Sequence, residues 1–358
     1  MRNWLSASGF GKAGRKSASG SAQARRALLL AGVLALAPQW AASQVVLKMS
    51  TTLPPNNPLV SQFFEPWAKR VSEAAAGEFQ IQVINGPTIA NAVNVWERTV
   101  SGVVDIGWGI HGAVNLPFPK STVTSLPLLV KEGELGANGA ALWRLYTSGL
   151  IADEYKDVKV LALIGTPVQG LSSKQPITSI ADMKGLKVRA ADKAVADIVT
   201  ALGGAPISVP AIEVYQALSQ GVVSASVAGW VLVGTFKLDE VVREHLEGLP
   251  LGAPAGFVVM NRQSYEKLSP KGRQVLDRFT GETFSRECGE YFEKLAAAMR
   301  DRVRTNQNHH FRTLAPAEAA RWHQALEQVI NQWADRTPNA RNILAAYRAE
   351  LQKESARK

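Results

Sequence analysis

The chain is 358 residues long, 46% hydrophobic and 20% charged, with one cysteine and a formal net charge of +10. That size suits about two globular domains whose core needs no covalent staple, and a single cysteine excludes an intramolecular disulfide and any CxxC redox or metal site. The charge is unevenly placed: Arg2, Lys12, Arg15, Lys16, Arg25 and Arg26 all precede residue 44, and without them about +4 remains, with no basic stripe of the kind that binds nucleic acid.

In chain order the first signal is a secretory one. Arg25 and Arg26 precede the apolar run Ala27 to Ala37, and Ala41-Ala42-Ser43 supplies the small residues of a cleavage site before Gln44. An apolar run of eleven residues falls well short of the about 20 needed to span a bilayer. Next, Val45 to Met49 reads as a strand. After the turn Pro54 to Pro58, the residues Val60, Phe63, Phe64, Trp67 and Val71 fall on one helical stripe. Phe79 to Ile84 alternates as a strand and stops at Asn85-Gly86-Pro87. A short helix at Asn91 to Val100 leads to a strand at Val104 to Trp108. Further strands are expected at Val158 to Ile164, Leu186 to Ala190, Ile207 to Val209, Val222 to Val227 and Gly256 to Met260. This alternation of strands and amphipathic helices predicts an α/β fold.

The last third is helical. Ser269 caps a helix with Pro270 at its first position, and helical periodicity runs to about Asn306. If unbroken, those residues make a rod of roughly 54 Å, although Gly272, Gly281 and Gly289 each weaken it. Cys288 reads as a small core residue within this stretch. Helices at Pro316 to Arg336 and Asn339 to Gln352 complete the chain.

Between Gly185 and Asn261 a series of short motifs follows in fixed order: GLKVR ending at Arg189, LGGAPISVPAIEVYQALSQGVV from Leu202, Trp230, FKLDEVVREHL from Phe236, and FVVMN from Phe257. This order resembles the substrate-binding subunits of TRAP transporters, the C4-dicarboxylate type of extracytoplasmic solute receptors. The resemblance covers about residues 45–300. It implies a two-lobed fold like that of periplasmic binding proteins, with a long helix spanning both lobes. Residues 44–165 with about 254–290 would form the first lobe, and 166–253 with about 291–358 the second lobe and C-terminal helices. It also implies a monomeric periplasmic receptor that is not an enzyme, uses no cofactor or metal, takes a small carboxylate and delivers it to integral membrane permease subunits.

On that resemblance Arg189 clamps the substrate carboxylate, since a guanidinium makes two parallel hydrogen bonds to one carboxylate where lysine offers a point charge. Read without it, Arg189 is a surface residue paired with Asp192 or Asp197. Trp230 would line the cleft and stack on the ligand, with core packing as the alternative. The segment DIGWGIHGAVNLPFPKSTVTSLPLL, Asp105 to Leu129, matches a family stretch in which Trp108 and His111 would face the cleft. His111 would add a hydrogen-bonding group, and Phe118 reads as a core anchor. Asn57 is a turn residue that could also reach the ligand. Departures from the family pattern bear on the ligand. Ala228 stands where dicarboxylate receptors often carry Asn, and neither Val168 nor Gln169 supplies a second basic residue. A monocarboxylate with an apolar or aromatic body is therefore expected. No GxSxG, P-loop or HExxH motif points to catalysis, and a co-bound cation would leave no readable motif. A binding protein serving a sensor, or an enzyme on the same scaffold, are the alternatives.

Overall fold

The computed structural model describes residues 44–114 and 118–356; the expected secretory segment, 1–43, lies outside them. Two sheets organise the described chain. The first has the strand order β2-β1-β3-β10-β4, formed by β1 (Val45–Ser50), β2 (Phe79–Ile84), β3 (Ile106–Ile110), β4 (Val158–Gly165) and β10 (Ala255–Asn261). β1 runs parallel to β2 and β3, while β10 is inserted antiparallel between β3 and β4. The continuous apolar runs of β4 and β10 match strands covered on both faces. One cover is the helix Glu65–Ala74, which continues a π-turn at Val60–Phe64 and buries Phe64, Trp67 and Val71.

The second sheet has the order β11-β9-β5-β8-β6-β7, formed by β5 (Gly170–Ser173), β6 (Lys187–Ala190), β7 (Ala205–Ser208), β8 (Ala225–Ala228), β9 (Glu244–Glu247) and β11 (His310–Thr313). β5, β9 and β11 have no counterpart among the predicted strands. Each has only four residues, and EHLE and HFRT carry no apolar alternation to read.

The chain passes between the sheets along two paired segments. Gln169 donates to the Gly252 carbonyl at 2.8 Å, Leu251 to the Gln169 carbonyl at 2.9 Å, and Thr166 to the Pro254 carbonyl at 3.0 Å.

The periodic stretch from Pro270 breaks into two helices, Pro270–Arg278 and Glu282–Arg304. Gly281 lies between them at φ 83° and ψ −147°, a conformation that L side chains avoid. The second helix, 23 residues and about 34 Å long, touches both halves. Near its start Phe284 stacks on Trp67 at 4.6 Å, and Gly289 lies against the Leu135 carbonyl. Towards its end Met299 meets Gly234, beyond the second sheet's β8. Cys288 is fully buried in this helix, and burial raises its thiol pKa well above the ordinary range.

The helix Pro316–Arg336 likewise gives Trp322, Leu326 and Val329 to the second core and Ile330 and Trp333 to the first. The final helix, Ala340–Ser355, was grouped by sequence with the second lobe but packs in the first core. Its stripe Ile343, Tyr347 and Leu351 is buried there, and Tyr347 donates to Asn138 of the helix Leu135–Thr147 at 2.6 Å.

Candidate ligand-binding cleft

Register on the second sheet sets the site. Arg189 of β6 is level with Ile207 of β7 and Ser226 of β8, Ser226 with Ser172 of β5, Ser172 with His245 of β9, and His245 with Phe311 of β11. Residues level across a sheet share a face, so one face carries the polar row Arg189, Ser226, Ser172, His245. The alternate residues Leu171, Val188, Ala190, Ala225 and Val227 enter the core on the other face.

Arg189 is 3% exposed. Its Nε donates to the Val209 carbonyl at 3.0 Å, and its Nη1 is buried with no hydrogen-bond partner. Burial pulls its pKa below the ordinary guanidinium value, against the opposing field of nearby Asp192. It forms no ion pair with either expected surface partner. Asp192 caps the helix Lys193–Ala201 by accepting from the Val195 amide, while Asp197 pairs with Lys193 at 2.8 Å and with Arg336.

The end of β3 on the first sheet faces this region. A Cβ built on Gly112 would lie 2.3 Å from Asp192 Oδ2, so the loop after β3 touches Asp192, just beyond β6. A cleft of about 400 Å³ opens beside this contact, lined by His111, Phe118, Ser121, Asp192, Lys193 and Trp333 among others; Arg189 and Ser226 lie near it but do not line it. His111 is 6% exposed and sits at 2.6 Å from the Tyr155 hydroxyl, edge-on to Phe118 and Phe257. Burial lowers its pKa to about 4, so the ring is neutral at pH 7; the Ala255 carbonyl favours the charged form only slightly. Trp108, in β3, is buried edge-on to Phe64 with its Nε1 unpartnered.

Nine buried side-chain polar atoms among the described residues have no hydrogen-bond partner. Six of them, on Ser50, Trp108, His111, Gln169, Arg189 and Ser226, belong to residues in or beside strands of the two sheets, or on the crossing segment. Native proteins rarely leave such groups unsatisfied, and open α/β sheets bind ligands at the carboxyl ends of their strands. Ser226, Gln169 and Ser50 escaped the sequence reading because a serine or glutamine in a strand pattern carries no chemical signature.

Two further expected residues are engaged by neighbours of their own. Trp230 opens the helix Trp230–Thr235 and rests on His245 at 5.0 Å and Phe311 at 5.7 Å. β9 is three strand spacings, about 14 Å, from Arg189 along the row. The Asn57 side-chain oxygen Oδ1 accepts from the Leu59 amide at 3.0 Å, which closes the turn before Val60. His309 turns inward to pair with His245 at 3.0 Å, while His310 stays exposed on β11. Among the described residues no three His, Cys, Asp or Glu side chains gather to hold a metal, and no helix is long and apolar enough to cross a membrane.

The model of bacterial extracellular solute-binding proteins, family 7, matches residues 49–337. Over 274 residues the chain is 26% identical to the outer membrane transporter protein TsaT of Comamonas testosteroni, spanning 75% of this chain and 80% of that protein. A TRAP solute binding protein from Rhodoferax ferrireducens T118, solved with copurified benzoate, is 27% identical with a TM-score of 0.80 over 87% of this chain and 99% of that one. A TRAP periplasmic solute binding protein from Bordetella bronchiseptica, with bound (R)- and (S)-mandelate, is 25% identical with a TM-score of 0.78 over 86% and 99%. The family and these solved relatives are solute-binding proteins of transport systems, not enzymes. With its two-lobed α/β fold, the chain belongs to family 7 of the bacterial extracellular solute-binding proteins, the receptors of TRAP transporters.

Proposed function

We propose that this receptor captures a monocarboxylate with an apolar or aromatic body between its two sheets, with Arg189 as the carboxylate clamp. The observation that carries this reading is a guanidinium 3% exposed, with Nη1 unpartnered and no ion pair. A buried cation in that state is costly unless an anion joins it, and a carboxylate fits its planar donors. The aromatic ring of Phe118 and the neutral ring of His111, both on the wall of the cleft, suit an apolar body. Neither Val168, Gln169 nor Ala228 brings a charge to hold a second carboxylate. The benzoate and mandelate bound by the two solved relatives have the same chemistry. The Trp230 ring, engaged by His245 and Phe311, serves this reading as a wall of the second lobe. Secretion through residues 1–43, action as a monomer and delivery to membrane permease subunits complete the proposal.

Arg189→Lys tests it. Charge is kept and the planar fork is lost, and hydrogen bonds to charged groups are worth roughly 1.5–3 kcal/mol each. Benzoate affinity, measured by calorimetry on residues 44–358, should fall about ten- to hundred-fold, while ligand-free unfolding loses no more than the about 1–3 kcal/mol of the Val209 hydrogen bond. Unchanged affinity removes Arg189 from the site. Tighter binding of succinate or malate than of benzoate refutes the monocarboxylate reading.

A further inference from the structure

Ser226 stands directly beside Arg189. The two are level on adjacent parallel strands and share a face, with relative exposures of 1% and 3%. Both carry a buried polar atom without a partner, Oγ of the serine and Nη1 of the arginine. They do not bond each other. The next residue along the row, Ser172, does not bond Ser226 either. Its hydroxyl is engaged by His245 Nδ1 at 2.9 Å, and that ring is fixed from behind by His309 at 3.0 Å. Two residues further along β8 on the same face stands Ala228, which has no polar group. Ser226 is thus the one polar side chain that β8 presents on this face.

Arg189 Nη1 can only donate, whereas a serine hydroxyl can donate or accept. Adjacent donors of this kind are satisfied together by an acceptor with at least two lone pairs, and an anionic one also balances the guanidinium. Resting on the receptor reading above, we propose that Ser226 is a second carboxylate-binding residue, its hydroxyl donating to the same ligand carboxylate that Arg189 holds. Along the same row the His245–His309 pair engages Ser172, while Ser226 Oγ has no partner. The head group recognised by the second lobe is then one carboxylate held by a guanidinium and a hydroxyl. Discrimination among acids falls to the first lobe.

The test is Ser226→Ala in the secreted chain, with benzoate and (R)-mandelate as probes in calorimetry and thermal unfolding without ligand as the control. Loss of one charge-assisted hydrogen bond should weaken both acids about tenfold. Removing a buried hydroxyl that has no partner should leave the ligand-free melting temperature unchanged or raise it, an outcome a purely structural serine would not give. Ser226→Cys, similar in size with a weaker donor, should fall between the two proteins. Unchanged affinity in Ser226→Ala while Arg189→Lys still weakens binding overturns the role of Ser226 and leaves the receptor reading standing. A fall in ligand-free stability that accounts for the lost affinity overturns it as well. Failure of wild-type protein to bind either acid overturns both.

Discussion

At the scale of single residues, buried titratable groups tie stability to pH. Burial holds the His111 pKa at about 4, against an ordinary value of 6.5, and that of His245 at about 3, where the neighbouring His309 adds to the effect. Both rings are therefore neutral in the folded protein near neutrality. Below pH 6.5 the unfolded chain takes up protons that the folded one refuses, so their contribution is complete above pH 6.5 and declines as pH falls towards the folded values. For His111 alone the loss between pH 7 and pH 5 should be about 2 kcal/mol. Urea unfolding at the two pH values should show His111→Asn losing less stability over this interval than wild type. Equal losses would mean that the ring is already charged or exposed in the folded state. The type of residue 189 was informative in the sequence, since a strand-ending arginine suggested a carboxylate. Its burial and its unpartnered Nη1 depend on strands β7 and β8, which pair with it through Ile207 and Ser226, and no local pattern encodes them.

At the scale of elements, the helix Glu282–Arg304 lies so close to the helix Leu135–Thr147 that a Cβ on Gly289 would meet the Leu135 carbonyl oxygen at 2.2 Å. Backbone cannot yield as a flexible side chain can, so Gly289→Ala should cost about 1–3 kcal/mol, read as a lower denaturation midpoint with an unchanged slope. A midpoint equal to wild type would show that the two helices separate freely. Gly281, at φ 83°, sets where the long periodic stretch breaks. The sequence marked it only as one of three weakening glycines, because a glycine's backbone angles are not written in its neighbours. Strong apolar stripes, such as Val60 to Val71, were legible. The four-residue strands β5, β9 and β11 were not, because pairing rather than composition makes them strands.

At the scale of the whole molecule, two paired segments and two long helices connect the sheets, and the loop after β3 meets Asp192 beyond β6 with only a glycine's clearance. Gly112→Ala places a methyl 2.3 Å from Asp192 Oδ2. It should weaken benzoate binding severalfold by holding these ends apart, with little effect on ligand-free unfolding; unaltered affinity would show that this approach plays no part in capture. A ligand favours the closed arrangement only by as much as it binds that arrangement better, so benzoate should lower the radius of gyration in solution scattering of wild type more than of Gly112→Ala. The sequence by itself determined the α/β class, the motif order that carries the family resemblance and the residue types suited to a carboxylate, because periodicity and short motifs are local properties of the chain. Tertiary structure alone decided that Ser226 stands level with Arg189, that the Trp230 ring rests on His245, and that the last helix joins the first core. Each of these depends on strand register or on packing between distant segments, and those are fixed by the fit of whole surfaces rather than by any local run of residues.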